Sequence, residues 1–341
     1  MTEADRRREI LVLAHTGRHD AVDAAATVAE RLHQAGLTPV MLARDIESLA
    51  QVVGDRLRDV PLAVAGKEVP LSRCEVGMVL GGDGSILRAA ELVRGAELPL
   101  MGVNLGHVGF LAESERTELD SSVEWVVDQD YTVERRMAID VQVWHAGEHV
   151  GSTWALNEAS VEKHSRERMV DLVVEVDGRP ISAFGCDGVV MATPTGSTAY
   201  AFSAGGPVVW PEVEALVMVP ISAHALFARP LVVAPDSVLA VEVLQREDEQ
   251  GVLWCDGRRS TELPAGSRVE VTRSDEPVLL ARVHQTPFSE RLVDKFNLPT
   301  SGWRGPVDAS NTVTTGERPT PHPMGSEMTA GTPGDTQGDA P

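Results

Sequence analysis

Between positions 10 and 110 the chain alternates short apolar runs with stretches of helical spacing. Residues 10–15 are mostly apolar. Val22, Ala25, Ala29 and Leu32 then fall on one helical face, and Gly36 follows where a helix would stop. Residues 40–42 read as a strand. Residues 76–80 form a third apolar run, which ends at GGDGS (81–85), and residues 86–93 return to helical spacing. Residues 98–103 read as another buried strand, followed by NLGHVGFL. This strand–helix rhythm predicts an α/β unit with a mostly parallel sheet. Ligands of such sheets bind beyond the C-terminal strand ends, where GGDGS and residues 104–110 would lie.

After a helical stretch at 119–127 the pattern changes. Short apolar or alternating runs occur at 137–143, 169–176, 180–184, 189–191, 216–219, 232–244, 251–255, 268–271 and 278–283. Turn signals at Asp177-Gly178, Asp187-Gly188 and Asp256-Gly257 separate several of them. The expected organisation is an α/β domain over 1–136, an all-β domain over 137–284, and a helical return at 288–296, within a 285–304 segment that packs back on the first domain. From 305 to 341 the chain is rich in Pro, Gly, Thr and Ser and poor in large apolar residues, and it reads as a disordered tail.

The 341 residues carry a formal net charge of −21. Nucleic acid and anionic membrane surfaces are therefore not expected as partners; an anionic small substrate requires arginines gathered at a pocket. The N-terminal apolar run is too short for a signal peptide, and no run reaches the length of a membrane span. Cys74, Cys186 and Cys255 fit neither a disulfide framework nor a zinc pattern. The expected compartment is the cytoplasm.

The densest chemistry lies in GCDGVVMATPTGSTAYAFSAGGP (185–207), with five glycines, two prolines and six hydroxyl side chains. Glycines admit close ligand approach and hydroxyls both donate and accept, which suits a sugar or a purine. In GGDGS, successive amides before a helix make a nest for phosphate. Asp83 adds a carboxylate, suited to binding a metal or taking a proton from an attacking hydroxyl; a plain helix cap is the alternative when the motif is taken alone. Arg88 lies one helical turn beyond Gly84 and can reach a phosphate; a solvated face is its commoner role. Asn157-Glu158 can read a ribose edge or be turn chemistry. Asp187 is a turn residue by default, Arg166 and Arg168 sit in a polar segment, and His224 reads as structural. Gly-x-Ser-x-Gly is absent, and no GxGxxG follows the first strand.

Taken together, GGDGS (81–85), GVNLGHVGFL (102–111), LNEASVEK (156–163) and GCDGVVMATPTGSTAYAFSAGGPVV (185–209) resemble the NAD kinase family in its bacterial, actinobacterial form. The resemblance spans roughly residues 8–305. It implies transfer of a phosphoryl group from ATP or polyphosphate to the 2′-hydroxyl of the adenosine ribose of NAD, with Mg²⁺ as the divalent cation. It implies Asp83 as general base, with Gly84 in the same loop. Asn157 and Glu158 would contact the nucleotide. Thr198, Ala199, Tyr200, Ala201, Phe202 and Ser203 would line the adenosine end. Asp187 would serve the nicotinamide riboside end across a subunit interface, Arg88 and Arg168 would be polar substrate contacts, and Phe110 would pack near the dinucleotide. No residue is assigned as a metal ligand. A homodimer or homotetramer is implied. Ser85 stands where many relatives have Thr, and Ala223 where relatives often have Pro. A lipid or small-alcohol kinase sharing only GGDG, and a non-catalytic dinucleotide sensor, are the competing readings.

Overall fold

The computed structural model describes residues 7–15, 17–106, 109–112, 114–115, 118–165, 167–244, 250–283 and 287–300. The first layer is built on β1 (Glu9–Ala14), β2 (Thr38–Met41), β3 (Ala63–Val64), β4 (Val76–Leu80), β5 (Leu100–Asn104), β6 (Ser114–Glu115) and β7 (Thr132–Arg136). Strands β1 to β5 pair in parallel in the order β3-β2-β1-β4-β5, and β6 pairs with β5. Every residue of β4 and β5 is buried, as expected of strands covered on both faces. The helices are α1 (His19–Gln34), α2 (Ala43–Val53), α3 (Asp83–Leu92) and α4 (Leu119–Asp128). Five buried alanines on α1 (Ala21, Ala24, Ala25, Ala26 and Ala29) let that helix approach the sheet closely.

One glycine seats the helix that matters most. A Cβ on Gly102 of β5 would fall 2.5 Å from Cδ1 of Ile86 on α3. Glycine there lets Ile86, fully buried, settle on the sheet. Truncating such a side chain to Ala costs about 2–5 kcal/mol. The helix begins at Asp83, three residues before the expected 86, so the second half of GGDGS is already its first turn.

The second layer is a sandwich of two six-stranded antiparallel sheets. Its strands are β8 (Ile139–His145), β9 (Glu148–Ala155), β10 (Glu158–Lys163), β11 (Val170–Val176), β12 (Arg179–Cys186), β13 (Gly188–Ala192), β14 (Leu216–Ile221), β15 (Leu231–Val233), β16 (Leu239–Val243), β17 (Gln250–Cys255), β18 (Arg259–Pro264) and β19 (Ser267–Arg273), with the short helix α5 (Tyr200–Ser203) after β13. The sheet orders are β15-β14-β13-β10-β17-β18 and β12-β11-β16-β19-β8-β9. Alternate residues of both sheets, among them Val141, Val161, Leu172, Met191 and Val269, interdigitate in one core. Asp177-Gly178 and Asp256-Gly257 have positive φ at both residues, the geometry of tight hairpin turns. Asp187-Gly188 differs from the expected turn: β12 and β13 belong to different sheets, and Asp187 is the single residue on which the chain crosses between them.

The run at 278–283, expected as the last strand of the β domain, instead forms β20 (Val278–Arg282) of the first sheet. It lies parallel to β5 and antiparallel to β7. Four of its five residues are buried, the mark of a covered strand and not of a half-exposed one. The helix α6 (Phe288–Phe296) follows where it was expected. Residues through Leu298 make one compact unit. The tail expected over 305–341 lies outside the described residues.

Candidate active site

The GGDGS turn leaves β4 at the C-terminal edge of the parallel sheet. The Asp83 carboxylate turns toward the segment after β5, where Oδ2 accepts the Phe110 amide at 3.0 Å and Oδ1 the Leu111 amide at 3.1 Å. Gly109 makes this possible, since a Cβ there would lie 2.2 Å from Oδ1. Gly81 is crowded in the same way by Ser85 Oγ, 2.3 Å from the position of its missing Cβ.

Across the turn lies a cavity of about 410 Å³ lined by Gly82, Gly84 and Ser85, with His15, Arg18, Arg44, Arg88 and Arg258 around it. It sits where β1 sends the chain to β2 on one side and neighbours β4 on the other. This crevice is where open α/β sheets bind ligands. Arg18 is bonded to Asp20 at 2.7 Å, Arg44 lies 3.6 Å from Asp45, and Arg258 lies 3.4 Å from Glu91. Arg88 has no ion-pair partner among the described residues. Four arginines, three of them beside carboxylates, and a helix N-terminus thus gather at one pocket in a chain of net charge −21.

The second half of the site comes from the sandwich. Asn157 follows Leu156, whose side chain is fully buried in the cluster that holds Ile86, Leu111 and Ala112, so the two layers share packing here. The Asp256 carboxylate, on the β17–β18 turn, accepts the Leu156 amide at 3.1 Å and the Asn157 amide at 2.7 Å, and pairs with Arg259 at 2.9 Å. Thr193 donates its hydroxyl to the Leu156 carbonyl at 2.6 Å. A Cβ on Gly196 would lie 2.0 Å from the Asn157 carbonyl oxygen, so the hydroxyl-rich loop rests directly on the Asn157 backbone. Glu158 is buried and accepts the Tyr200 amide at 3.4 Å. Burial, with Asp256 nearby, pushes its carboxyl up to about 8. At neutral pH it therefore holds its proton and can donate as well as accept.

Helix α6 spans the two halves. Phe296 stacks on Phe202 of α5 with centroids 4.3 Å apart and lies 5.8 Å from Phe110, and Phe288 lies 5.7 Å from Phe110 and 5.1 Å from Trp210. Phe110 and the α5 residues Tyr200, Ala201, Phe202 and Ser203 are thus linked through one helix, with Thr198 and Ala199 immediately before α5. Asp187 stands apart, with Lys163 Nζ at 2.5 Å from its carboxylate. That hydrogen bond, with Ser222 and the His224 charge adding to it, holds the carboxyl below the usual range. Arg168 is exposed in the β10–β11 connection and has no hydrogen bond to the other predicted residues among those described. Arg166 lies outside the described residues. Arg18, Arg44, Arg258, Asp256, Phe288 and Phe296 were not picked out by motif; the placement of Arg18 and Arg44 just after two parallel strands was the signal available for those two.

A glycine turn with a pinned carboxylate at the parallel-sheet edge, joined through shared packing and helix α6 to a hydroxyl-rich loop, is the arrangement of a nucleotide phosphotransferase. The ATP-NAD kinase N-terminal domain matches residues 10–131 and the ATP-NAD kinase C-terminal domain matches residues 156–283. The chain is 59% identical over 302 residues to the NAD kinase of Thermobifida fusca, covering 87% of this chain and 92% of that one. It is 58% identical over 300 residues to the NAD kinase of Leifsonia xyli, covering 88% and 98%. In fold it is similar to yeast NADH kinase complexed with NADH (TM-score 0.77, 20% identity, 87% of this chain and 89% of that chain). It is also similar to an NAD kinase from Archaeoglobus fulgidus in complex with ATP (TM-score 0.57, 24% identity, 86% and 98%). The chain belongs to the NAD kinase family.

Proposed function

We infer that this protein phosphorylates the 2′-hydroxyl of the adenosine ribose of NAD, giving NADP, and that Asp83 is its general base. The observation that carries the assignment is the placement of Asp83, held by two backbone amides in the turn that borders an arginine-lined cavity. A carboxylate has about four lone-pair positions, so two remain to accept the ribose hydroxyl. In the reaction the 2′-oxygen forms a bond to the terminal phosphorus of the donor, the bond from that phosphorus to its bridging oxygen breaks, and the hydroxyl proton passes to Asp83. Little covalent chemistry is asked of the protein; alignment and charge neutralisation do the work.

Gly84 and Arg88 would hold the donor phosphates, from ATP or from polyphosphate, with Arg18, Arg44 and Arg258 around them. Asn157 and protonated Glu158 would bond the ribose, and the stretch from Thr198 to Ser203 would receive adenosine, with Phe110 against the dinucleotide. Asp187 would serve the nicotinamide riboside end, and Arg168 would be a polar substrate contact. Leu226 and Phe227 stand exposed near His224, which supports completion of that end by a second subunit in a homodimer or homotetramer. Among the described residues no three His, Cys, Asp or Glu side chains gather as a metal site. So sparse a protein donor set would fit a Mg²⁺ held mainly by the donor phosphates and water. When bound it would neutralise phosphate charge. Among the described residues no helix is long and apolar enough to cross a membrane, and the cytoplasm is the compartment we propose.

The Asp83→Asn variant tests the central assignment. It should keep NAD binding by calorimetry and lose at least about a hundredfold in kcat, within the range ascribed to a positioned base. Turnover near the wild-type rate would remove Asp83 from the mechanism. The lipid-kinase reading is not favoured, and the tight hydroxyl-rich loop against Asn157 speaks for a nucleotide acceptor.

A further inference from the structure

The Asp83 carboxylate is only as well placed as the amides that hold it, and those amides belong to a short segment whose carbonyls are taken by arginines. Arg282 Nη1 donates to the Leu111 carbonyl at 3.0 Å. Arg291 Nη1 donates to the Ala112 carbonyl at 3.1 Å and lies 3.5 Å from that of Phe110. Leu111 is therefore held on both sides, its N–H on Asp83 and its C=O, in the next peptide unit, on Arg282, while Arg291 reaches the carbonyls that flank it. Held at both its N–H and its C=O, the Leu111 backbone has little freedom to shift under Asp83.

Arg282 is itself fixed. Its side chain is 9% exposed, and Nε donates to Glu134 Oε2 at 2.6 Å. The other carboxylate oxygen, Oε1, lies 2.8 Å from Nε of Arg136, whose side chain is 8% exposed. Arg136 reaches on to the Thr195 hydroxyl at 3.5 Å, in the loop that rests on Asn157. Burial alone would raise the Glu134 carboxyl, but the two guanidinium groups outweigh it and hold it below the usual range. Strands β7 and β20 supply all three residues, with Glu134 opposite Leu280 and Arg136 opposite Val278 in the register. A buried Arg–Glu–Arg group is a poor way to stabilise a fold, because desolvation offsets its attraction. Its reach to loops on both halves of the site suggests a different use.

We propose that Arg282 is a positioning residue for phosphoryl transfer, acting through the Leu111 carbonyl and the Phe110–Leu111 amides on Asp83. Glu134 and Arg136 tie that position to the loop that receives the acceptor nucleotide. The proposal rests on Asp83 being the base. Lysine at 282 keeps the charge and can pair with Glu134, but as a point donor it cannot also hold the Leu111 carbonyl as the guanidinium fork does.

The test uses the full chain with Arg282→Lys, Arg282→Ala and Asp83→Asn. For Arg282→Lys we expect kcat to fall about tenfold or more, as a misplacement of the order of 1 Å can cost about a hundredfold, while the NAD dissociation constant by calorimetry stays within about threefold. Guanidinium ion added to Arg282→Ala should restore at least part of the lost kcat, and should restore nothing in Asp83→Asn. Arg282→Lys decides alone if Arg282→Ala does not fold. A kcat for Arg282→Lys within about twofold of wild type overturns the proposal. So does a loss of kcat matched by an equal loss of NAD binding, which marks a general structural role. An active Asp83→Asn would instead overturn the reading of Asp83 on which the proposal stands.

Discussion

Gly109→Ala places one methyl group against the proposed base. The added carbon would meet Asp83 Oδ1 at 2.2 Å, Cγ at 2.8 Å and Oδ2 at 3.0 Å. All three atoms are pinned, because Oδ2 and Oδ1 accept the Phe110 and Leu111 amides. Either the carboxylate rotates away or the 109–111 backbone withdraws, and in both cases at least one amide bond is lost. A hydrogen bond to a charged group contributes about 1.5–3 kcal/mol, which corresponds to roughly 10- to 150-fold in rate if it is felt in the transition state. Overpacking adds about 1–3 kcal/mol of destabilisation. The assay is NADP formation under saturating NAD and donor, coupled to an NADP-specific dehydrogenase, with calorimetry for NAD affinity and thermal unfolding for stability. The expected pattern is kcat down by that factor, NAD affinity little changed, and Tm lowered by a few degrees. A variant with wild-type kcat would show that the amide clamp on Asp83 has no part in turnover.

Arg88→Met should raise the KM for ATP about tenfold and leave the KM for NAD nearly unchanged, as loss of one phosphate contact worth about 1.4 kcal/mol requires; equal changes in both would place Arg88 outside the donor site. For Glu158 the sign follows from its raised pKa. The folded state holds a proton that the unfolded chain releases near 4.5, so the stabilisation is complete below that pH and is lost as pH rises through about 8. Glu158→Gln should therefore flatten the fall of Tm between about pH 5 and pH 8, and an unchanged slope would refute a protonated Glu158.

Local chemistry made much of this site readable in the sequence. A strand ending in GGDGS, the hydroxyl-rich loop and the apolar face of 288–296 each announce themselves within a dozen residues. What stayed hidden depends on residues far apart in the chain. Nothing near Asn157 indicates that Asp256 will hold its amide, and nothing near Leu111 points to Arg282. The strand at 278–282 belongs to the first sheet and not to the sandwich that its neighbours in sequence suggest, because an apolar run of five does not tell which layer buries it. The role of Gly109 was equally invisible, since a glycine in GHVGFL reads as a turn until the carboxylate beside it is in place. Asp187-Gly188 has the composition of a hairpin, yet the pairing of its two flanking strands with different sheets makes it a crossing point.

The position of β20 also bears on how the protein is made. The first sheet has β5 and β7 on either side of a gap that only residues 278–282 can fill. At about 5–20 residues per second, the ribosome needs on the order of 10–30 s to pass from the end of β7 to that strand. Throughout that interval the nascent N-terminal half carries an incomplete sheet with an unpaired edge, an invitation to mispairing. The sandwich is synthesised in the meantime and can fold within its own strands. The layer translated first is thus closed last, and a chain cut between residues 273 and 278, after the last sandwich strand, should yield a folded β sandwich beside a half that cannot finish.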